Sequence, residues 1–209
     1  MNAMLCLDIE TIPSINNDRI AAMAAKRDMD PVTFASLCPP LAQVVCVGMQ
    51  NTDTGGTQCF VVGDMLPPSE VIVLCVDEAD LLAKVNKTVD KYDGLLTFAG
   101  RSFDVPCLFH RSKINGIEPA KLFTSSAWQK PWELRPHVDL LNAMTFGGAM
   151  GKYSLEAFCI AYGVESPKAA GDGSNVAQLF AEGKTAELAE YCLGDVKATC
   201  ELYKRWSSK

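Results

Sequence analysis

Two acids near the start of the chain, Asp8 and Glu10, close an apolar run formed by Met4, Leu5, Cys6 and Leu7. The run reads as a buried strand. Side chains along a strand alternate between its two faces, so Asp8 and Glu10 leave from the same face. Neighbouring carboxylates resist ionising together unless a cation holds them. Unpaired charge beside an apolar core is costly, so the pair calls for a partner. Hard divalent ions such as magnesium and manganese prefer oxygen ligands and fit that need. A strand end emerging into solvent would carry the same two acids at no cost, so the rest of the chain has to decide.

The 209 residues are 48% hydrophobic and 21% charged, enough for one well-packed domain, 1–209, and unlike a disordered chain. No apolar stretch approaches the roughly 20 residues needed to span a bilayer, so no membrane is expected. No basic segment followed by a long apolar one opens the chain, which gives no sign of secretion. The nine cysteines form no CxxC pair, and Cys46, Cys75 and Cys159 lie inside apolar runs. That usage predicts a reducing compartment, with the cytoplasm as default, and neither zinc nor a disulfide framework. A net charge of −6 argues against a non-specific nucleic-acid binder, though not against a nuclease whose acids hold metals.

Strand signals cluster early. After the first strand, residues 16–36 read as helix and loop, a segment placed to cover a site. Strands follow at 43–50 and 57–62, joined by the polar loop 51–56. Leu81, Leu82, Val85 and Val89 recur at helical spacing within 77–93, with Gly94 as the expected stop. A short strand at 95–98 comes next, and helices are predicted at 104–114, 154–162 (capped by Ser154), 174–182 and 185–206. Residues 125–136, with two tryptophans, and the Gly-rich 147–151 read as connections. Hairpins followed by packed helices indicate one mixed α/β domain.

Three more acids stand where chemistry can use them. Asp104, in Gly100-Arg101-Ser102-Phe103-Asp104-Val105-Pro106, falls in the first turn of a helix, where capping alone would also favour it. Tyr191 and Asp195 are four apart on the last helix and share the stripe of Leu188, Thr199 and Leu202, so both face inward. Asp139, in His137-Val138-Asp139-Leu140, suits an N-cap or a supporting role. His110 and His137 lack metal-like spacing and read as structural.

In their order these motifs resemble the DEDD exonucleases, in the subclass marked by tyrosine. The likeness is to proofreading 3′–5′ exonuclease domains, and more to stand-alone proteins related to the exonuclease domain of family-B DNA polymerases. It extends over nearly the whole chain, including Lys152-Tyr153-Ser154-Leu155-Glu156 and Gly171-Asp172-Gly173-Ser174. The resemblance implies a ribonuclease H-like fold, a mixed β-sheet flanked by α-helices. It implies that Asp8, Glu10, Asp104 and Asp195 bind two divalent ions, Mg2+ or Mn2+. Asp8 would bridge both, Glu10 and Asp195 would complete the water-activating site, and Asp104 would serve the ion beside the leaving 3′ oxygen. Tyr191 would orient the attacking water, since a phenol with a pKa near 10 is a poor base at neutral pH.

The implied substrate is the 3′ end of nucleic acid, single-stranded DNA first, cut to nucleoside 5′-monophosphates, with a replication or repair protein as a possible partner. Thr11, Arg101 and Phe103 are the nearest candidates for substrate contact. Lys152 and Arg135 could meet phosphates, and Trp128 and Trp132 could stack on bases. Relatives often carry Asn where this chain has Ala99, which bears on substrate contacts rather than on the four acids. A ribonuclease H-like endonuclease, an RNA exonuclease and a non-catalytic nucleic-acid-binding module are the alternatives. DNA or RNA, the pathway and the oligomeric state are not legible.

Overall fold

The computed structural model describes residues 4–14, 18–65, 69–130, 133–151, 153–166 and 175–208. Its centre is a six-stranded mixed sheet of β1 (Met4–Pro13), β2 (Ala42–Asn51), β3 (Thr57–Val62), β4 (Ile72–Cys75), β5 (Gly94–Thr97) and β6 (His137–Asp139). The order is β4-β3-β2-β1-β5-β6. The β1–β2 and β2–β3 pairs are antiparallel, as hairpins require, while β4, β5 and β6 each lie parallel to a neighbour. Between β1 and β2 come two short helices, α1 (Asp18–Ala25) and α2 (Pro31–Ser36), packed around Ile20, Ala24, Phe34 and Ala35.

Helices cover both faces. On one side lie α3 (Glu78–Val89), α4 (Asp104–Ile114) and α5 (Lys121–Trp128), whose Leu81, Leu82, Val85, Leu108 and Phe123 meet Leu5, Leu7 and Ile9 of β1. After β6 come α6 (Leu140–Met144), α7 (Leu155–Tyr162), α8 (Val176–Ala181) and the 23-residue α9 (Thr185–Ser207). α9 lies along the opposite face, where Leu188, Ala189 and Cys192 pack on Val45, Cys46, Cys59 and Val61, and Val196, Cys200 and Leu202 pack near Met4, Cys6, Leu96 and Val138. Burial of this kind is worth roughly 1.5–3 kcal/mol per large apolar side chain.

The predicted elements are present with instructive shifts. α3 ends at Val89, and Gly94 opens β5 rather than stopping the helix. Asp90 takes the cap, and Gly94 sits against Met4, where a Cβ would come within 3.1 Å. Part of the expected connection 125–136 is helical: Leu122, Phe123 and Ser126 bury one side of the two-turn α5. The three-residue β6 was too short to show a period, but its place beside β5 puts Asp139 next to Thr97. Ser154 caps α7 as expected, accepting the Ala157 N–H at 3.2 Å. Asn16, Trp132, Lys152 and the 171–174 stretch lie outside the described residues. No described helix is long and apolar enough to cross a membrane.

Candidate active site

Alternation along β1 decides the site. Leu5, Leu7 and Ile9 point to the α3–α4 core, while Met4 and Cys6 point to the α9 side. Asp8 and Glu10 continue the second set, so the two acids emerge beneath α9. Opposite them in β2 stand Gly48, paired with Asp8, and Cys46, paired with Glu10. Just beyond Glu10 the register slips, because Thr11 pairs with Val44 and Val45 is extra. A bulge of this kind re-aims side chains and ends regular pairing.

Gly48 explains how close α9 can come. A Cβ at this position would lie 3.1 Å from Cys192 Sγ and Val196 Cγ2 and 3.2 Å from the Cys192 carbonyl. The Gly48 N–H donates to Cys192 Sγ at 3.1 Å, and Cys192 Sγ lies 3.4 Å from the Asp8 carbonyl oxygen and 3.8 Å from Asp8 Oδ2. An isolated glycine within a strand pattern is the sequence signal for such an approach. From the same helix, Tyr191 and Asp195 project one turn apart, both half-buried.

Asp104 arrives from the other side. The β1–β5 pairing extends only as far as Cys6 and Leu96. Beyond it the Ile9 N–H donates to the Asp104 carboxylate, tying the first residue of α4 to β1 beside Asp8 and Glu10. Asp104 is therefore the first helical residue, with Phe103 at the cap position, rather than the cap itself. The turn leading to it has Ala99 at φ 63°. Asn visits this left-handed region more readily than Ala, for which it costs roughly 1–2 kcal/mol. Asp139 holds the turn: its Oδ1 accepts the Ala99 N–H at 3.2 Å and its Oδ2 the Arg101 N–H at 3.0 Å. The same carboxylate caps α6 through Asn142, so the sequence's two readings of Asp139 both apply.

The electrostatics bind these pieces into one cluster. Asp8 is pushed well above the usual carboxylate range, by burial first and then by Asp104, Glu10 and Asp195. Glu10 is pushed up by burial, then by Asp195, Asp104 and Cys59. Asp104 rises to about 7, through burial and the nearby Asp139 and Asp195, against the N–H groups of its own residue and Ile9. Among the described residues, no cation stands with the groups that act most strongly on these three. Ligand atoms of Asp8, Glu10 and Cys192 all lie within 4.8 Å of one another, a cluster able to hold a metal ion. Cys192 is the member of this cluster that sequence reasoning missed, because a thiol in an apolar stripe looks like core.

The outer candidates fare differently. Phe103 is half-buried against the α3–α4 core, and the Thr11 hydroxyl donates to Ser36 at 3.2 Å, tying α2 to the bulge. Arg101 donates to the Lys130 carbonyl and lines a cavity of about 350 Å³ with Ala99, Ser102, Asp139, Asn142 and Thr145. Trp128 is 86% exposed. Arg135 is set apart: it lies beside Gly94 and Met4, at the opposite end of the strands from Glu10, which removes it from the site. His137 is structural, as expected: burial, and secondarily Arg101, pull it down to about 4, and its Nε2 shares a hydrogen bond with Thr97.

Comparison with known proteins gives the family and the fold. Residues 38–208 match the model of a family described as predicted 3′–5′ exonucleases related to the exonuclease domain of PolB, and the chain belongs to that family. The fold is also similar to the family B DNA polymerase of the hyperthermophilic archaeon Pyrobaculum calidifontis, with a TM-score of 0.64 at 19% identity. That match covers 98% of this chain and 24% of the polymerase. It shows the ribonuclease H-like fold, a mixed sheet flanked by helices. None of the curated proteins compared with the chain matches it.

Proposed function

We propose, from membership of the PolB-related exonuclease family and from the convergence of Asp8, Glu10, Asp104 and Asp195, that the chain is a metal-dependent 3′–5′ exonuclease. Its substrate is the 3′ end of single-stranded DNA, and its products are nucleoside 5′-monophosphates. The observation that carries the reading is the gathering of four acids from β1, α4 and α9 in one place, near enough for Asp8, Glu10 and Asp104 each to feel the charge of Asp195. Such a group is stable when cations neutralise it.

Asp8, Glu10, Asp104 and Asp195 would hold two ions, Mg2+ or Mn2+, which supply an activated water and stabilise the leaving oxygen. Tyr191 sits one helical turn from Asp195 and orients the water by hydrogen bonding. Asp139 fixes the backbone of Ala99 and Arg101 and so the direction from which Asp104 enters. Arg101 and the cavity beside it receive the terminal nucleotide, and Thr11 and Phe103 are further candidates for contact with the strand. Ala99 offers no side-chain amide here, so the backbone and Arg101 carry more of that contact.

The test is incubation with 3′- and 5′-labelled single-stranded DNA and RNA, with magnesium or manganese, beside Asp8→Ala. Stepwise shortening from the 3′ end is expected in the wild type. The variant should lose roughly a thousandfold in rate, as several kcal/mol of metal-assisted stabilisation disappear. Internal fragments would point to an endonuclease, and activity surviving in Asp8→Ala would refute the site.

A further inference from the structure

We propose that Cys192 is an additional metal ligand of this centre, forming with Asp8 and Glu10 a site for thiophilic divalent ions, zinc above all. The inference rests on reading the acids as a metal centre and adds sulfur to its donors. Zinc accepts mixed sulfur and carboxylate ligands, whereas magnesium keeps to oxygen.

Distances suit the ion. Bond lengths of about 2.3 Å to sulfur and about 2.1 Å to oxygen place tetrahedral S and O ligands about 3.6 Å apart. Cys192 Sγ stands 3.8 Å from Asp8 Oδ2, and Glu10 completes a triangle with no side above 4.8 Å. Small side-chain rotations close the set. The sulfur is also held in place: the Gly48 N–H donates to it at 3.1 Å, and the Cys46 thiol hydrogen-bonds to it. Such second contacts orient and tune a ligand.

Glu10 is the independent observation. Its side chain is buried, 9% exposed, and its carboxylate comes within 4.8 Å of the ligand atoms of both Asp8 and Cys192. A buried acid brought this close to a second carboxylate and a thiol completes a three-donor set. On binding, the Cys192 proton leaves to solvent and the thiolate bonds the ion.

Cobalt(II) reports the sulfur directly through a thiolate-to-metal charge-transfer band in the near ultraviolet. Titration of the full chain should give that band at one equivalent, and Cys192→Ser and Asp8→Asn should abolish it. Zinc affinity should fall at least about tenfold in Cys192→Ser. The proposal is overturned if the wild type shows no band, or if the band persists in a Cys192→Ser protein whose circular dichroism is native. Should that variant not fold, X-ray absorption of the zinc-loaded wild type decides: a sulfur scatterer near 2.3 Å supports the ligand, and an all-oxygen shell overturns it. Manganese binding, followed by electron paramagnetic resonance, separates the two readings. If manganese binds in an Asp8-dependent way without a cobalt band, the sulfur ligand alone falls; if no ion binds, the metal centre falls as well.

Discussion

The protein buries carboxylates in two places and treats them in opposite ways. Glu78, at the start of α3, is met on every side: its oxygens accept the Val44 N–H at 2.8 Å, Arg111 Nε at 2.9 Å and Asn115 Nδ2 at 3.1 Å. Arg111 reaches on to the Pro40 carbonyl, so one ion pair joins α3, α4 and the entry to β2. Across the sheet, Asp8, Glu10 and Asp104 meet mainly one another and Asp195. A buried arginine is available in this fold, and it serves Glu78. Acids that complete their own hydrogen bonding are architecture, whereas acids that repel one another are the ones that, under the proposed function, a cation would neutralise.

The contrast breaks most visibly at Glu78. Glu78→Ala strands the Arg111 guanidinium and should destabilise the protein by about 3–5 kcal/mol in denaturant unfolding. Asp8→Asn should do the reverse without divalent ions, raising the midpoint, because it removes a repelling charge. If both substitutions destabilise alike, the two acid groups are not different in kind.

Gly48 tests how tightly the receptor is built. Gly48→Val drives a branched side chain into Cys192 and Val196 and should cost about 1–3 kcal/mol. A displacement of α9 by about 1 Å should reduce cleavage roughly a hundredfold. Activity near wild type, with the same loss of stability, would show that the site tolerates a looser helix.

The smallest effect is the dependence on acidity. Folded Asp104 titrates at about 7, above its unfolded value of 3.8. Between those limits the native chain binds a proton that the unfolded chain has released, so stability falls as pH rises through this window. In chelator, the melting temperature should be a few degrees lower at pH 8 than at pH 5. Added manganese should restore most of the difference at pH 8. A flat profile in Asp104→Asn would assign the effect to this side chain.

Much of the site was legible because it depends on short-range periods. Alternation put Asp8 and Glu10 on one face, the spacing of four aligned Tyr191 with Asp195, and α4 begins at Asp104 as expected. What stayed hidden depends on contacts between distant segments. Gly48 within its strand signals a close approach, but nothing near it announces that what approaches is a helix 144 residues later. Cys192 looked like packing because only the sheet beneath it makes it a neighbour of Asp8. Gly94 resembles a helix stop until β5 is seen to slot beside β1. Arg135 and Arg101 look equivalent in sequence, and only the strand ends they occupy separate them.

The docking of α9 has a consequence for the order of events during biosynthesis. The helix that closes the second core also delivers Tyr191, Cys192 and Asp195, so a nascent chain that has emitted only the sheet lacks all three side chains beside Asp8 and Glu10.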